Sequence, residues 1–375
     1  MPVCELRKRR FRIIALGAVV KRIVSLLVAV ILLFLSPESL AQPGDQSARY
    51  HLIQVVEANF LEKLNDAAGQ GYRLIAMTAV PASVVAIMER VEEPSAHFSY
   101  LAVPVRGTKK RFETTGQVKA EVAAQLNASG KKGYRLRVAL ETLAVMESSS
   151  NTSEHYQYAL SSPGGFGYFK KDDLSDLITA GYHWAATSSM FLIFERVESD
   201  NSREGSETRR AVPYRRFTFP ENNIVRRDLP EKQLHKLASA GARVVDFFGS
   251  PQQMVLAMEE TVPPSAPYQY IVLRPRNEAS PLALRAKMSK VDAADLTHAG
   301  QEGFRLLSLS APAPPFVMEK TPGSTKRYEY QFVSASRLAE LAEQLNGPGA
   351  DRFHVAKLTA SDEGFLVVLE KSDAE

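Results

Sequence analysis

Aromatic residues spaced two apart recur along the chain: Phe98/Tyr100, Tyr156/Tyr158, Phe217/Phe219, Tyr268/Tyr270 and Tyr328/Tyr330, with Tyr50 and Leu52 in the same place near the start. Large apolar side chains at period 2 predict a strand with one buried face. Each comes before a stretch with helix signals, and Leu61/Leu64 and Leu338/Leu341/Leu345 show the spacing best. Asp172 or Asp173, Asp292 and Ser334 are expected as N-caps, and Pro230 in a first turn. Glycine then ends the helix, followed by an aromatic residue and a basic one: Gly71-Tyr72-Arg73, Gly133-Tyr134-Arg135, Gly181-Tyr182-His183 and Gly303-Phe304-Arg305. Gly241-Ala242-Arg243 lacks the aromatic, and Arg352-Phe353-His354 lacks the glycine. A residue with positive φ is wanted at such a helix end. Two β-rich runs come next, the second closing on a large apolar residue and glutamate: Met88-Glu89, Met146-Glu147, Phe194-Glu195, Met258-Glu259, Met318-Glu319 and Leu369-Glu370.

The pattern predicts an α+β protein of six tandem β-α-β-β units, with antiparallel sheets and helices on one face. The basic-phrase positions 71, 133, 181, 241, 303 and 352 are separated by 62, 48, 60, 62 and 49 residues, so one spacing pair occurs twice. Shifting the chain by 170 residues lays Leu61–Val103 on Glu231–Leu273 without a gap and brings Pro94-Ser95-Ala96 onto Pro264-Ser265-Ala266. Two three-unit blocks are therefore expected at 42–196 and 212–375, with the polar stretch 197–211 as a linker. These units resemble a small bacterial domain family of unknown function, in which a Tyr-x-Tyr strand precedes a helix and a Gly-Trp strand. The tryptophan place holds Tyr72, Tyr134, Tyr182 or Phe304 here, and the strand-end glutamate is an addition. The resemblance implies a fold and no activity.

Ahead of the first unit the pattern changes. Arg7, Lys8, Arg9, Arg10, Arg12, Lys21 and Arg22 precede an apolar run from Ile23 to Leu35, and Ser39-Leu40-Ala41 supplies small residues for cleavage. That order predicts a signal peptide over 1–41 and an exported product, periplasmic or extracellular. The 13-residue run is short for a span, which needs about 20 residues. An anchor starting at Phe11 would have to bury Lys21 and Arg22. No stable membrane span is expected after cleavage. Arg9-Arg10 invites a twin-arginine route, but the very apolar core fits general secretion better.

Removing the segment changes the charge balance. Of 46 basic and 42 acidic residues it takes seven and two, leaving 39 and 40, a net charge of about −1. The basic pI belongs to the leader, and a nucleic-acid partner is not expected. The one cysteine, Cys4, also leaves with it, so disulfides, thiol catalysis and thiolate metal sites are not expected.

The recurring charges are the sharpest candidate residues. Arg73, Arg135, His183, Arg243, Arg305 and His354 each precede a hairpin that closes on Glu89, Glu147, Glu195, Glu259, Glu319 and Glu370. Turn residues Pro81, Pro251, Pro312 and Asp362 lie midway between four of these pairs. Equidistant residues face each other across a hairpin, so six cross-strand ion pairs within the units are expected, holding register. A row of charges lining a ligand surface is the alternative.

The seven histidines, His51, His97, His155, His183, His235, His298 and His354, include no i, i+4 pair, and no metal or other cofactor is expected. The loop from Ser161 to Gly167 lacks phosphate-loop spacing, and Asp172 and Asp173 would repel an anion. No nucleophile elbow is present, no catalytic residue is identified, and Trp184 is expected in the core. The composite expectation is a non-enzymatic binding or structural module of the bacterial cell envelope, with an envelope protein or polymer as partner. A periplasmic, hydrolase-like enzyme with a site between the blocks is the second reading. Polar residues found in one unit and lacking in the other five would distinguish it.

Overall fold

The computed structural model describes residues 48–80, 83–92, 97–105, 115–161, 176–177, 180–188, 190–198, 208–211, 215–218, 231–250, 253–262, 266–273, 290–307, 316–350, 352–361 and 364–373. The expected signal peptide, residues 162–167 of the loop, Asp172, Asp173, Phe219, Pro230 and the turn residues Pro81, Pro251, Pro312 and Asp362 lie outside them.

The first sheet contains β1 (Tyr50–Val55), β2 (Tyr72–Val80) and β3 (Ser83–Arg90), with helix α1 (Glu57–Gly69) between β1 and β2. Its strand order is β1-β3-β2, so the last strand pairs antiparallel with both others. The second sheet repeats this order with β4 (Phe98–Pro104), β5 (Arg135–Ala139) and β6 (Leu143–Ser149), with α2 (Thr115–Gly130) after β4. The third consists of β7 (Tyr156–Ser161), β8 (His183–Thr187) and β9 (Leu192–Val197). In the fourth, the opening strand is split into β10 (Thr208–Ala211) and β11 (Arg215–Thr218), which both pair with β13 (Gln253–Val262). Helix α3 (Glu231–Ser239) and β12 (Ala242–Ser250) complete it.

The fifth sheet is β14 (Gln269–Leu273), β15 (Arg305–Leu306) and β16 (Phe316–Lys320), with α4 (Lys290–Gln301). The sixth is β17 (Tyr328–Ala335), β18 (His354–Ser361) and β19 (Gly364–Ser372), with α5 (Leu338–Leu345). The molecule is thus mixed α+β, with six small antiparallel sheets and these five helices among the described residues.

Three expectations need correction. The linker at 197–211 ends in β10, and Ala211 stands opposite Glu259, so the fourth sheet opens ahead of Phe217. Phe217 lies in β11 opposite Met254, at the other end of β13. Backbone pairing to a strand that already needs an edge partner outweighs the polar composition of this stretch. Ser334 falls inside β17 and Asp292 inside α4, so neither is an N-cap; α5 starts after Arg337, and Glu340 accepts the N–H of Ser336.

The helix-ending glycines take positive φ at Gly71 (89°), Gly133 (83°), Gly181 (83°), Gly241 (89°) and Gly303 (94°). Side chains other than glycine rarely adopt that region. It turns the chain from helix into the second strand within one residue.

The core is divided between the sheets. Phe60 and Leu64 of α1 pack with Leu74, Ala86 and Met88 of the first sheet and with Tyr100, Leu143 and Val145 of the second. Val118, Val122 and Leu126 of α2 join the second sheet to the third in the same way. Leu234 and Ala238 join the fourth to the fifth, and Leu296 and Ala299 the fifth to the sixth. Leu338, Leu341 and Leu345 of α5 pack with Tyr50, Leu52, Val85 and Ile87 of the first sheet. The third and fourth sheets meet at Leu192, Phe194, Trp184 and Val245. The succession of contacts closes on itself, last sheet against first. Each helix fills the gap to the next sheet, which is why strands such as β3 and β19 are apolar on both faces.

Candidate functional site: the junction between sheets

The six expected pairs lie opposite one another along the backbone: Arg73 to Glu89, Arg135 to Glu147, His183 to Glu195, Arg243 to Glu259, Arg305 to Glu319 and His354 to Glu370. The side chains, however, mostly bond elsewhere. Arg73 reaches Glu147 of the second sheet at 2.7 Å, and Arg135 reaches Glu195 of the third at 2.9 Å. Arg243 reaches Glu319 of the fifth at 2.9 Å, and Arg305 reaches Glu370 of the sixth at 2.8 Å. Of the expected pairs within a unit, His183 meets Glu195 at 3.6 Å. The correction has a simple cause. Glu147, Glu195, Glu319 and Glu370 each share a face with the strand tyrosine opposite, and that face is turned toward the preceding sheet, whose arginine reaches it.

That tyrosine completes the junction. The Tyr100 hydroxyl accepts the N–H of Leu74 in the first sheet (2.7 Å) and donates to Glu147 Oε2 (2.9 Å). Tyr158 does the same with Leu136 and Glu195, Tyr270 with Val244 and Glu319, and Tyr330 with Leu306 and Glu370. The other member of each aromatic pair takes the arginine on its ring face: Arg73 over Phe98, Arg135 over Tyr156, Arg243 over Tyr268 and Arg305 over Tyr328, at 4.9 to 5.9 Å.

Four junctions therefore share one design. A buried carboxylate holds a guanidinium through Oε1, in Glu147 and Glu319 through both oxygens, and accepts a phenol on Oε2, and the phenol holds a backbone amide of the neighbouring sheet. Burial, with the adjacent carboxylate second, pushes the hydroxyls of Tyr100, Tyr158, Tyr270 and Tyr330 far above the ordinary phenol range. Burial alone would raise the Glu195 carboxyl. The hydrogen bond from His183, the charge of Arg135 and the bond from Tyr158 outweigh it and hold that carboxyl below the usual glutamate value.

A second contact was missed in the sequence. Asn65 of α1 accepts the N–H of Tyr100 (2.8 Å) and donates to its carbonyl (3.0 Å), so its amide acts as an extra strand segment along β4. Asn127 clips Tyr158 and Asn346 clips Tyr50 in the same two-bond manner. Thr297 uses its hydroxyl for both bonds to Tyr330, and His235 donates to the Tyr270 carbonyl. All five stand six positions before the basic-phrase glycine or its substitute, a recurrence that was there to be found. Close approach follows: a Cβ on Gly130 would meet the Tyr156 carbonyl at 2.1 Å, and one on Gly300 the Tyr328 carbonyl at 2.2 Å.

The other two junctions differ. Between the third and fourth sheets the backbone N–H of Trp184 donates directly to Glu259 (3.1 Å), and Thr187 donates to Asp246 (2.6 Å). Between the sixth and first, Tyr50 donates to the Phe353 carbonyl, and Glu89 is held at 2.6 Å by Arg49, which also meets His354. His354 lies 3.3 Å from Glu89. Arg49, ahead of the first strand, was not singled out in the sequence. Trp184 is half-buried, edge-on to Phe194.

Three charges break the pattern on the second strands: exposed Arg137 in β5, buried Asp246 in β12 and half-buried Lys357 in β18. Arg137 donates to the Leu74 carbonyl, and desolvation draws its guanidinium below the ordinary arginine value. Among the described residues no group of three or more His, Cys, Asp or Glu is placed to hold a metal, and no helix is long and apolar enough to cross a membrane. Comparison with protein-family models, curated proteins and solved structures finds no match.

Proposed function

We propose that the chain is an exported, non-enzymatic repeat protein whose six β-α-β-β units, in two three-unit blocks, close into a ring that serves the bacterial cell envelope as a binding or structural module. One observation carries this reading: the recurring charges are spent on holding neighbouring sheets together. Each of the four matching carboxylates has both oxygens engaged by arginine and tyrosine, the arginine bonding both oxygens in Glu147 and Glu319. Histidine replaces arginine in the third and sixth units, the last of each proposed block, which supports the duplication. Residues 1–41 are removed on export in this reading.

The test is capture from an envelope extract with the purified chain lacking residues 1–41. Specific retention of one protein or polymer is the expected result, and its absence would overturn the binding reading. The second reading, a hydrolase-like enzyme between the blocks, draws on Thr187 and Asp246 at the third–fourth junction. Turnover of ester, glycoside, peptide or phosphoester substrates that Asp246→Asn abolishes, without specific capture, would replace the binding reading with it.

A further inference from the structure

Five of the second strands carry a bulge, and the residue inside it has no partner across the hairpin. These residues are Ile75, Arg137, Ala185, Val245 and Ala356. Four are apolar, and Ile75 and Val245 pack against neighbouring cores. Arg137 is the one charge among them, so the shared sheet pattern does not call for it. Its side chain crosses to the first sheet, where Nε donates to the Leu74 carbonyl at 2.9 Å and lies 4.0 Å from Glu147 Oε2. Arg73 already bonds both oxygens of that carboxylate. Two guanidiniums therefore stand at one glutamate, a surplus of one positive charge. Among the described residues, Glu319 and Glu370 have one arginine each.

The bond from Nε leaves the outer end of the guanidinium unused. Neither terminal nitrogen of Arg137 has an acceptor among the described residues, and 35% of the side chain meets solvent. The Arg73 side chain beside it is 42% exposed. We propose that Arg137, with Arg73 next to it, forms a binding site at the first–second junction for a singly charged oxyanion group that offers two oxygens, a phosphodiester or a carboxylate of an anionic ligand. A guanidinium fork matches two such oxygens with parallel N–H bonds. The anchor on Leu74 holds the fork in place before the ligand arrives, which lowers the entropic cost of binding. Desolvation works against the Arg137 charge, Glu147 supports it, and the like charges of Arg73 and Arg135 oppose it again. An incoming anion offsets that opposition. A guanidinium keeps its proton, so the site holds a ligand and supplies no acid or base.

The test follows backbone and arginine side-chain N–H resonances of the chain lacking residues 1–41. Dimethyl phosphate and acetate are titrated separately, each replacing chloride at constant ionic strength. Saturable shifts of the Arg137 Nε–H and of the Leu74 and Ala76 amides are expected, and the tighter of the two probes names the group. Arg137→Ile, which copies Ile75 of the first sheet, should weaken the binding about tenfold or more. Arg137→Gln, which keeps a donor and loses the charge, should weaken it likewise, and thermal midpoints show that each variant is folded. No saturable shift with either probe, or unchanged affinity in a folded variant, overturns the site. The inference rests on the binding reading above for the source of the anion, but its test needs no envelope extract. Failed capture with saturable probe binding strikes that reading alone, and the reverse result strikes the site alone.

Discussion

Glu147 shows what a single residue does here. Arg73 bonds both of its oxygens, the Tyr100 hydroxyl donates to one of them, and 8% of its side chain meets solvent. A surface pair of that kind is worth about 0–1 kcal/mol, but a buried carboxylate that loses its partners costs about 3–5 kcal/mol. Glu147→Ala should therefore cost several times more than Glu92→Ala at the exposed end of the first hairpin, measured by urea midpoints. Arg73→Ala and Glu147→Ala should show a coupling of about 1–3 kcal/mol in a double-mutant cycle. Arg73 with Glu89, opposite along the backbone, should couple less. The junction phenols add a pH signature. Their folded-state pKa lies above the unfolded value of about 10, so their stabilisation is complete below pH 10 and is lost as pH rises beyond it. Unfolding midpoints should drop steeply above pH 10, and Tyr270→Phe should weaken that dependence while lowering the midpoint at pH 7.

At the scale of elements, each helix is a connector between two sheets. Asn65 satisfies two backbone groups of β4 that have no strand beside them. Asn65→Ala leaves both without this partner and should cost about 1–3 kcal/mol, whereas Asn65→Asp, which keeps the acceptor and loses the donor, should cost less than alanine. Gly300 permits the same approach in the fifth unit. Gly300→Ala raises helix propensity yet should destabilise by about 1–3 kcal/mol, because the methyl group would sit 2.2 Å from the Tyr328 carbonyl. A thermal midpoint that rises in Gly300→Ala would show that the helix can shift aside.

Across the whole molecule, the last sheet on the first decides how the chain responds to damage. Tyr50 and Asn346 are bonded in both directions although 296 residues separate them. An array with free ends frays from its termini, since each unit has only its sequence neighbours. Here Asn346→Ala should raise hydrogen exchange in β1 and β3 as well as in α5 and β17. Faster exchange confined to the sixth sheet would mean that the seam does not couple the ends.

The local vocabulary was legible without coordinates. Period-2 aromatics, helical leucines and glycines at helix ends mark individual strands and helices, because these signals act over a few residues through sterics and burial of one face. What tertiary structure alone decided was the partner of each charge. Arg73 lies opposite Glu89 in register but bonds Glu147, because the carboxylate faces the neighbouring sheet, and the direction of a face depends on how sheets pack. Strand β10 was hidden by its polar composition, since an edge pairs through its backbone. The closing seam was hidden by distance along the chain: Arg49, Asn346 and Phe353 carry no mark that their partners are at the other end. Spacing reports neighbours in sequence, whereas closure depends on the small rotation between successive sheets, a property of packed surfaces that no short motif contains.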